Sequence, residues 1–156
     1  MRVLLTDASF LHTLAIIRYL GKEGIDVFCA GTDKNDVSLY SKHCKGSFIG
    51  PEPKDKTGYI EFIVKVIKDN PFDLLIPVGD RATEVIAKNK KEVKQYVATE
   101  IADYESIKVA LNKKLTYDLA ASLGIGYPAT IYPLSLIHIS EPTRPLYISY
   151  AVFCLK

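Results

Sequence analysis

Tryptophan is absent from this 156-residue chain, methionine occurs once and cysteine three times. Three cysteines are too few for a disulfide framework, and Cys29 and Cys44 are not spaced as metal ligands. His43 stands beside Cys44, but one such pair without further ligands does not make a zinc set. No apolar stretch approaches the length of a membrane span, and the run Val3-Leu4-Leu5 behind Met1-Arg2 is too short for a signal-peptide core. Charge of one sign is missing too. Lys and Arg number 20 against 18 Asp and Glu. A balance this even argues for neither nucleic acid nor an anionic membrane as partner. The lysines at 88, 90, 91 and 94 are interleaved with acids and lack an aromatic platform, so they read as a solvated face. The expectation is a soluble, cytoplasmic protein with free thiols, Cys29 being a core residue of an apolar strand.

What is present is an alternation of short apolar runs with longer segments of helical period, the pattern of βαβ units on a parallel sheet. Residues 2–6, 26–30, 46–49 and 73–78 read as strands without polar alternation, as buried parallel strands do. Residues 97–101 are a candidate fifth strand. Residues 11–22 form an amphipathic helix with Leu11, Leu14 and Ala15 on one face and Arg18 and Lys22 on another. In residues 58–70, Ile60, Ile63, Val64 and Ile67 share a face, with Glu61 and Lys65 paired across a turn, and Pro71 ends the helix. A third helix spans 81–96 with a break near Asn89. Two further helices, 104–111 and 113–123, follow a boundary near residue 102, the second closed by Gly124 and Pro128.

In an open parallel sheet, ligands lie beyond the carboxyl ends of the strands, which singles out the loops Thr6-Asp7-Ala8-Ser9 and Gly79-Asp80-Arg81. The first has no glycine, so the G-x-G-x-x-G turn of a dinucleotide-binding domain is missing, and so is the G-K-[ST] ending of a phosphate loop. Thr6 and Ser9 offer hydroxyls to an anion at the first helix's positive end. The competing reading makes Asp7 or Ser9 the N-cap of that helix. Asp80 has the same two readings, substrate contact or a capping pattern with Glu84. Thr6, Asp7, Ser9 and Asp80 are therefore the candidate substrate-binding residues. His12, in the first turn of the first helix, reads as a partly exposed helix residue.

The end of the chain resembles something else. Ser135-Leu136-Ile137-His138-Ile139-Ser140-Glu141-Pro142-Thr143-Arg144, and then Ile148-Ser149-Tyr150-Ala151-Val152-Phe153-Cys154-Leu155, are similar to the two ends of a DNA sequencing adapter translated in one frame. The alternative is a natural strand pair, since residues 147–155 are rich in β-branched and aromatic types. On the adapter reading, 134–156 are a non-native tail to be excluded from fold reasoning. Removing its Arg144, Lys156 and Glu141 from the 20 basic and 18 acidic residues leaves 18 against 17. The natural sequence is then the front of a longer protein.

Residues 2–133 as a whole resemble the N-terminal part of an ATP-grasp carboxylate-amine ligase, similar to the carbamoyl-phosphate synthase large subunit. The resemblance is carried by Val3-Leu4-Leu5-Thr6-Asp7, by Ile17-Arg18-Tyr19-Leu20-Gly21-Lys22-Glu23-Gly24, by Ser38-Leu39-Tyr40-Ser41-Lys42 and by Leu74-Leu75-Ile76-Pro77-Val78-Gly79-Asp80. Its most diagnostic stretch is Asn112-Lys113-Lys114-Leu115-Thr116-Tyr117-Asp118-Leu119-Ala120 with Leu123-Gly124-Ile125-Gly126-Tyr127-Pro128. The resemblance implies a Rossmann-like α/β fold: a pre-ATP-grasp domain over 1–102, and the helical start of the ATP-grasp domain over 103–133, cut before the rest of it. It also implies that Lys113 contacts an ATP phosphate, which suits a flexible ammonium. Where the family usually has Asp before this lysine, Asn112 stands here. The implied reaction uses ATP and Mg2+ to join a small-molecule carboxylate to an amine. The metal ligands and catalytic residues fall in the missing part, so the chain alone is catalytically incomplete. Two other readings remain open: a stand-alone small-molecule-binding module, and half of a two-domain glycosyltransferase. The second has no need of the 113–128 segment.

Overall fold

The computed structural model describes residues 1–131 and 153–154. Four strands form a parallel sheet: β1 (Arg2–Leu5), β2 (Asp26–Gly31), β3 (Cys44–Ile49) and β4 (Leu74–Ile76), in the order β3-β2-β1-β4. Helix α1 (Leu11–Lys22) joins β1 to β2, and α2 (Lys56–Asp69) joins β3 to β4. After β4 come α3 (Asp80–Lys88), the short α4 (Lys90–Val93), α5 (Tyr104–Leu111) and α6 (Lys113–Ser122). This is the parallel α/β sheet that the alternation predicts, and the Rossmann-like fold that the resemblance implies.

β1 explains why its sequence does not alternate. It pairs with β2 on one edge and β4 on the other, Leu4 lying opposite both Phe28 and Leu75. Its two faces are both covered. Val3 and Leu5 pack with Val27, Cys29 and Ile17 of α1, while Leu4 packs with Ile63, Ile67, Leu75 and Ile86 beneath α2 and α3. Full burial of a leucine side chain is worth about 1.5–3 kcal/mol.

Helix ends follow local chemistry. α1 and α6 both finish in a glycine with positive φ, Gly24 at 78° and Gly124 at 69°. In each, the amide after the glycine bonds back to the carbonyl five residues earlier, Ile25 to Leu20 at 3.1 Å and Ile125 to Ala120 at 2.9 Å. This is the double-bonded left-handed cap that a Cβ would strain. α2 begins two residues ahead of its expected start because Asp55 caps it, accepting from the Gly58 amide at 3.1 Å. The Glu61–Lys65 pair expected on α2 is not among the ion pairs of the described residues. The third helix breaks at Asn89, whose side-chain amide donates to the Val85 carbonyl at 2.8 Å, and regular helix ends at Val93. The fifth strand does not form. Its segment contributes one parallel bridge, Leu74 with Ala98, in which the Leu75 amide donates to the Ala98 carbonyl at 2.9 Å.

The chain divides into two compact units, Met1–Lys108 and Val109–Lys156, where the sequence places a boundary near 102. In the second, no residue of α6 is buried, Leu119 and Leu123 are exposed, and Tyr117 stacks on Tyr127 with centroids 5.5 Å apart. Thr130–Ile131 pairs antiparallel with Phe153–Cys154. Apart from those last two residues, the tail read as a translated adapter lies outside the described residues.

Two outcomes follow from this packing. Leu4→Ala should lower stability by about 2–5 kcal/mol in urea unfolding, the range for a leucine cavity in a core; a loss under 1 kcal/mol would contradict the two-sided burial. Hydrogen exchange should be faster at the amides of α5 and α6, which bury no side chain, than in β1 and β2. Equal protection would refute this.

Candidate functional site

The order β3-β2-β1-β4 makes the chain leave β1 toward one edge and return on the other side of it. The loops after β1 and β4 therefore diverge at their carboxyl ends and leave a crevice. A cleft of about 490 Å³ occupies that place, within the range of small-molecule sites. Asp7, Ser9 and Phe10 line it from the loop after β1, and Gly79, Asp80 and Arg81 from the loop after β4. The expected loops are the ones that line it.

Their geometry is set by two side chains. The Thr6 hydroxyl accepts from the Val78 amide at 3.0 Å and donates to the Asp7 carboxylate, which itself accepts from the Gly79 amide at 2.8 Å. These bonds tie loops 72 residues apart in sequence. Asp7 holds a left-handed backbone, φ 60°, a region that Asp tolerates better than most residues. Its carbonyl accepts from the buried Thr13 hydroxyl at 2.8 Å. Gly79 is needed for close approach, since a Cβ there would sit 2.8 Å from the Asp7 carboxylate.

The capping readings give way here. Phe10 is the N-cap residue of α1, without a side-chain cap bond, so neither Asp7 nor Ser9 caps it. Gly79 is the N-cap residue of α3, and Glu84 reaches across to Lys56 at 2.8 Å instead of folding back on its own helix. Ser9 and Asp80 are exposed in the cleft wall, whereas Thr6 is fully buried beneath it and does not line it.

The remaining wall comes from residues that sequence reasoning did not single out, with His12 the exception: it lines the cleft, its ring 4.9 Å from that of Phe10. Asp36 lies near the end of the loop after β2, its carboxylate accepting from the amides of Thr32 and Asp33 at 3.0 and 3.2 Å. Gly31 makes room for it, since a Cβ there would meet that carboxylate at 2.5 Å. Ser38 of the following turn (Val37–Tyr40) donates its amide to Ala8 and its hydroxyl to the Phe10 carbonyl. Glu52 and Pro53 enter after β3. The strand-end rule applied to β2 and β3 would have found these loops. Tyr59 of α2 had no such signal; burial pushes its hydroxyl well above the usual tyrosine range, and the Asp7 charge adds to this. Cys29 is likewise pushed up by burial, as its core position implies, and Cys44 is raised for the same reason.

Lys113 belongs to the second unit. It is exposed at the first helical position of α6, behind Asn112, whose side chain accepts from the amides of Lys114 and Leu115 at 3.0 and 3.3 Å. Asn and Asp are nearly equivalent N-caps, so the departure from the family's aspartate preserves this turn. Among the described residues no cluster of three His, Cys, Asp or Glu side chains is arranged to hold a metal, and no helix is long and apolar enough to cross a membrane.

Thr6→Val removes the hydroxyl that serves the Val78 amide and Asp7, and should cost about 1–3 kcal/mol by leaving buried groups unpaired. Thermal unfolding beside Thr13→Ser, which keeps its hydroxyl, checks this; a Thr6→Val chain as stable as the parent would remove the tie.

No family model matches the sequence, nor does any curated protein. Solved structures do. L-amino acid ligase from Bacillus licheniformis superposes with a TM-score of 0.71 at 14% identity, over 92% of this chain and 35% of that one. Glycinamide-RNase-transformylase T from Mycobacterium tuberculosis gives 0.61 at 18%, over 84% and 38%. N5-carboxyaminoimidazole synthetase from Staphylococcus aureus, complexed with ADP, gives 0.60 at 12%, over 83% and 32%. The chain thus spans about a third of the length of each. The chain has the fold of the part of each of these proteins that it covers.

Proposed function

We propose that this chain is the N-terminal part of an ATP-dependent carboxylate-amine ligase, furnishing a wall of the substrate cleft and the first ATP contact. The observation that carries the reading is the extent of the likeness to ATP-grasp ligases, 92% of the chain for the L-amino acid ligase. One of these neighbours was solved with ADP. In such a reaction the γ-phosphoryl group of ATP passes to a carboxylate oxygen, releasing ADP. The amine then attacks the acyl carbon, an amide bond forms, and phosphate leaves as the amine gives up its proton.

Lys113 fits its part. It is exposed, joins none of the ion pairs among the described residues, and stands at the positive end of α6, where an anion is favoured. Its ammonium would hold a phosphate oxygen as a point charge. Mg2+, when bound, would neutralise phosphate charge; the described residues offer it no ligand cluster, and on this reading its ligands belong to the rest of the ligase, beyond residue 133. The substrate-side residues are Asp7, Ser9 and Asp80 in the cleft wall, with Thr6 holding that wall together.

The test reads the source gene past the codon for Pro133 and assays the protein it encodes for ADP release. Release should require both a carboxylate and an amine, and Lys113→Met should raise the KM for ATP about tenfold or more, the worth of a charged hydrogen bond. No ADP release with any amino acid pair, together with specific small-molecule binding, would replace the ligase with a stand-alone binding module.

A further inference from the structure

Three charged side chains in the wall of the cleft are unspent. Asp80, Arg81 and Glu52 are exposed there, and among the described residues none of them joins an ion pair; Asp80 and Arg81 stand side by side at the start of α3. Asp7 and Asp36 differ, since their carboxylates already accept backbone amides. A neutral hydroxyl lies on the floor. Tyr59 is 3% exposed and lines the cleft, its hydroxyl neighbouring the Thr6 side chain. The surface between these groups is apolar, with Ala8, Phe10 and Val78 contributing.

We propose that this cleft binds an α-amino acid with an apolar side chain as its zwitterion, the ammonium at Asp80 and the carboxylate at Arg81 and the Tyr59 hydroxyl. Opposite charges in one cleft select a ligand that carries both, because a ligand with one charged end leaves the other protein group desolvated and unpaired. Arg81 can hold a carboxylate with two parallel N–H bonds, and the neutral Tyr59 phenol adds a third donor. The apolar wall takes the side chain. The inference rests on the substrate-cleft reading above for its place in the reaction, and it names the class of substrate held by this part of the protein.

The experiment titrates the isotope-labelled full chain with L-leucine, N-acetyl-L-leucine and L-leucine methyl ester, following backbone amide resonances without ATP. L-leucine should shift the amides of Gly31, Gly79 and Asp80, and blocking either end should weaken binding about tenfold or more. Asp80→Asn should weaken L-leucine but leave the N-acetyl compound unchanged. Tyr59→Phe should weaken L-leucine but leave the methyl ester unchanged, with amides remote from the cleft unshifted in both variants. Shifts absent from the cleft, or blocked compounds binding as well as L-leucine, would overturn the proposal. Because turnover is not read, the two ideas fail separately. Binding here with no ADP release by the longer protein would sink the ligase alone, and ADP release with no binding here would sink this assignment alone.

Discussion

β1 is paired on both edges and covered on both faces, and the rest of the first unit is arranged by that double constraint. A four-residue strand in the middle of a sheet has no face to give to solvent, so Val3, Leu4 and Leu5 are all fully buried. Covering both faces requires helices on both sides: α1 over Val3 and Leu5, α2 and α3 over Leu4. With β2 on one side and β4 on the other, the chain must reverse direction across the sheet at β1. The cleft is the geometric remainder of that reversal.

The tie between Thr6, Asp7, Val78 and Gly79 turns this remainder into a defined site. A crevice between two free loops would vary in width. Here each loop supplies what the other lacks, hydroxyl and carboxylate acceptors from one and backbone donors from the other. The same bonds bury Thr6 beneath the cleft and occupy the Asp7 carboxylate, while Asp80 and Arg81 stay exposed in the wall.

Parts of this were legible in the residues. The apolar runs located all four strands, Asn89 marked the helix break, and Gly124 marked the end of α6, because each depends on a few neighbouring residues. Fifth-strand formation over 97–101 depended on an extended partner edge, and the short β4 offers only one bridge. The capping alternatives fail for a related reason. Ser, Asp and Glu at helix starts have a local use in capping, but Asp7 and Glu84 found partners 72 and 28 residues away.

The sequence by itself determined the four strands and the helices that follow them, the glycine-closed end of α6 and the burial of the central strand, since periodicity and backbone preference act over a turn or a few residues. Only the tertiary structure decided which side chains share the cleft. Tyr59 comes from a helix that reads as core, Asp36 and Glu52 from loops without a motif, and His12 from a position that reads as surface. Their meeting depends on how far each strand runs before its loop begins and on which strands lie side by side, and both are settled by packing across the sheet.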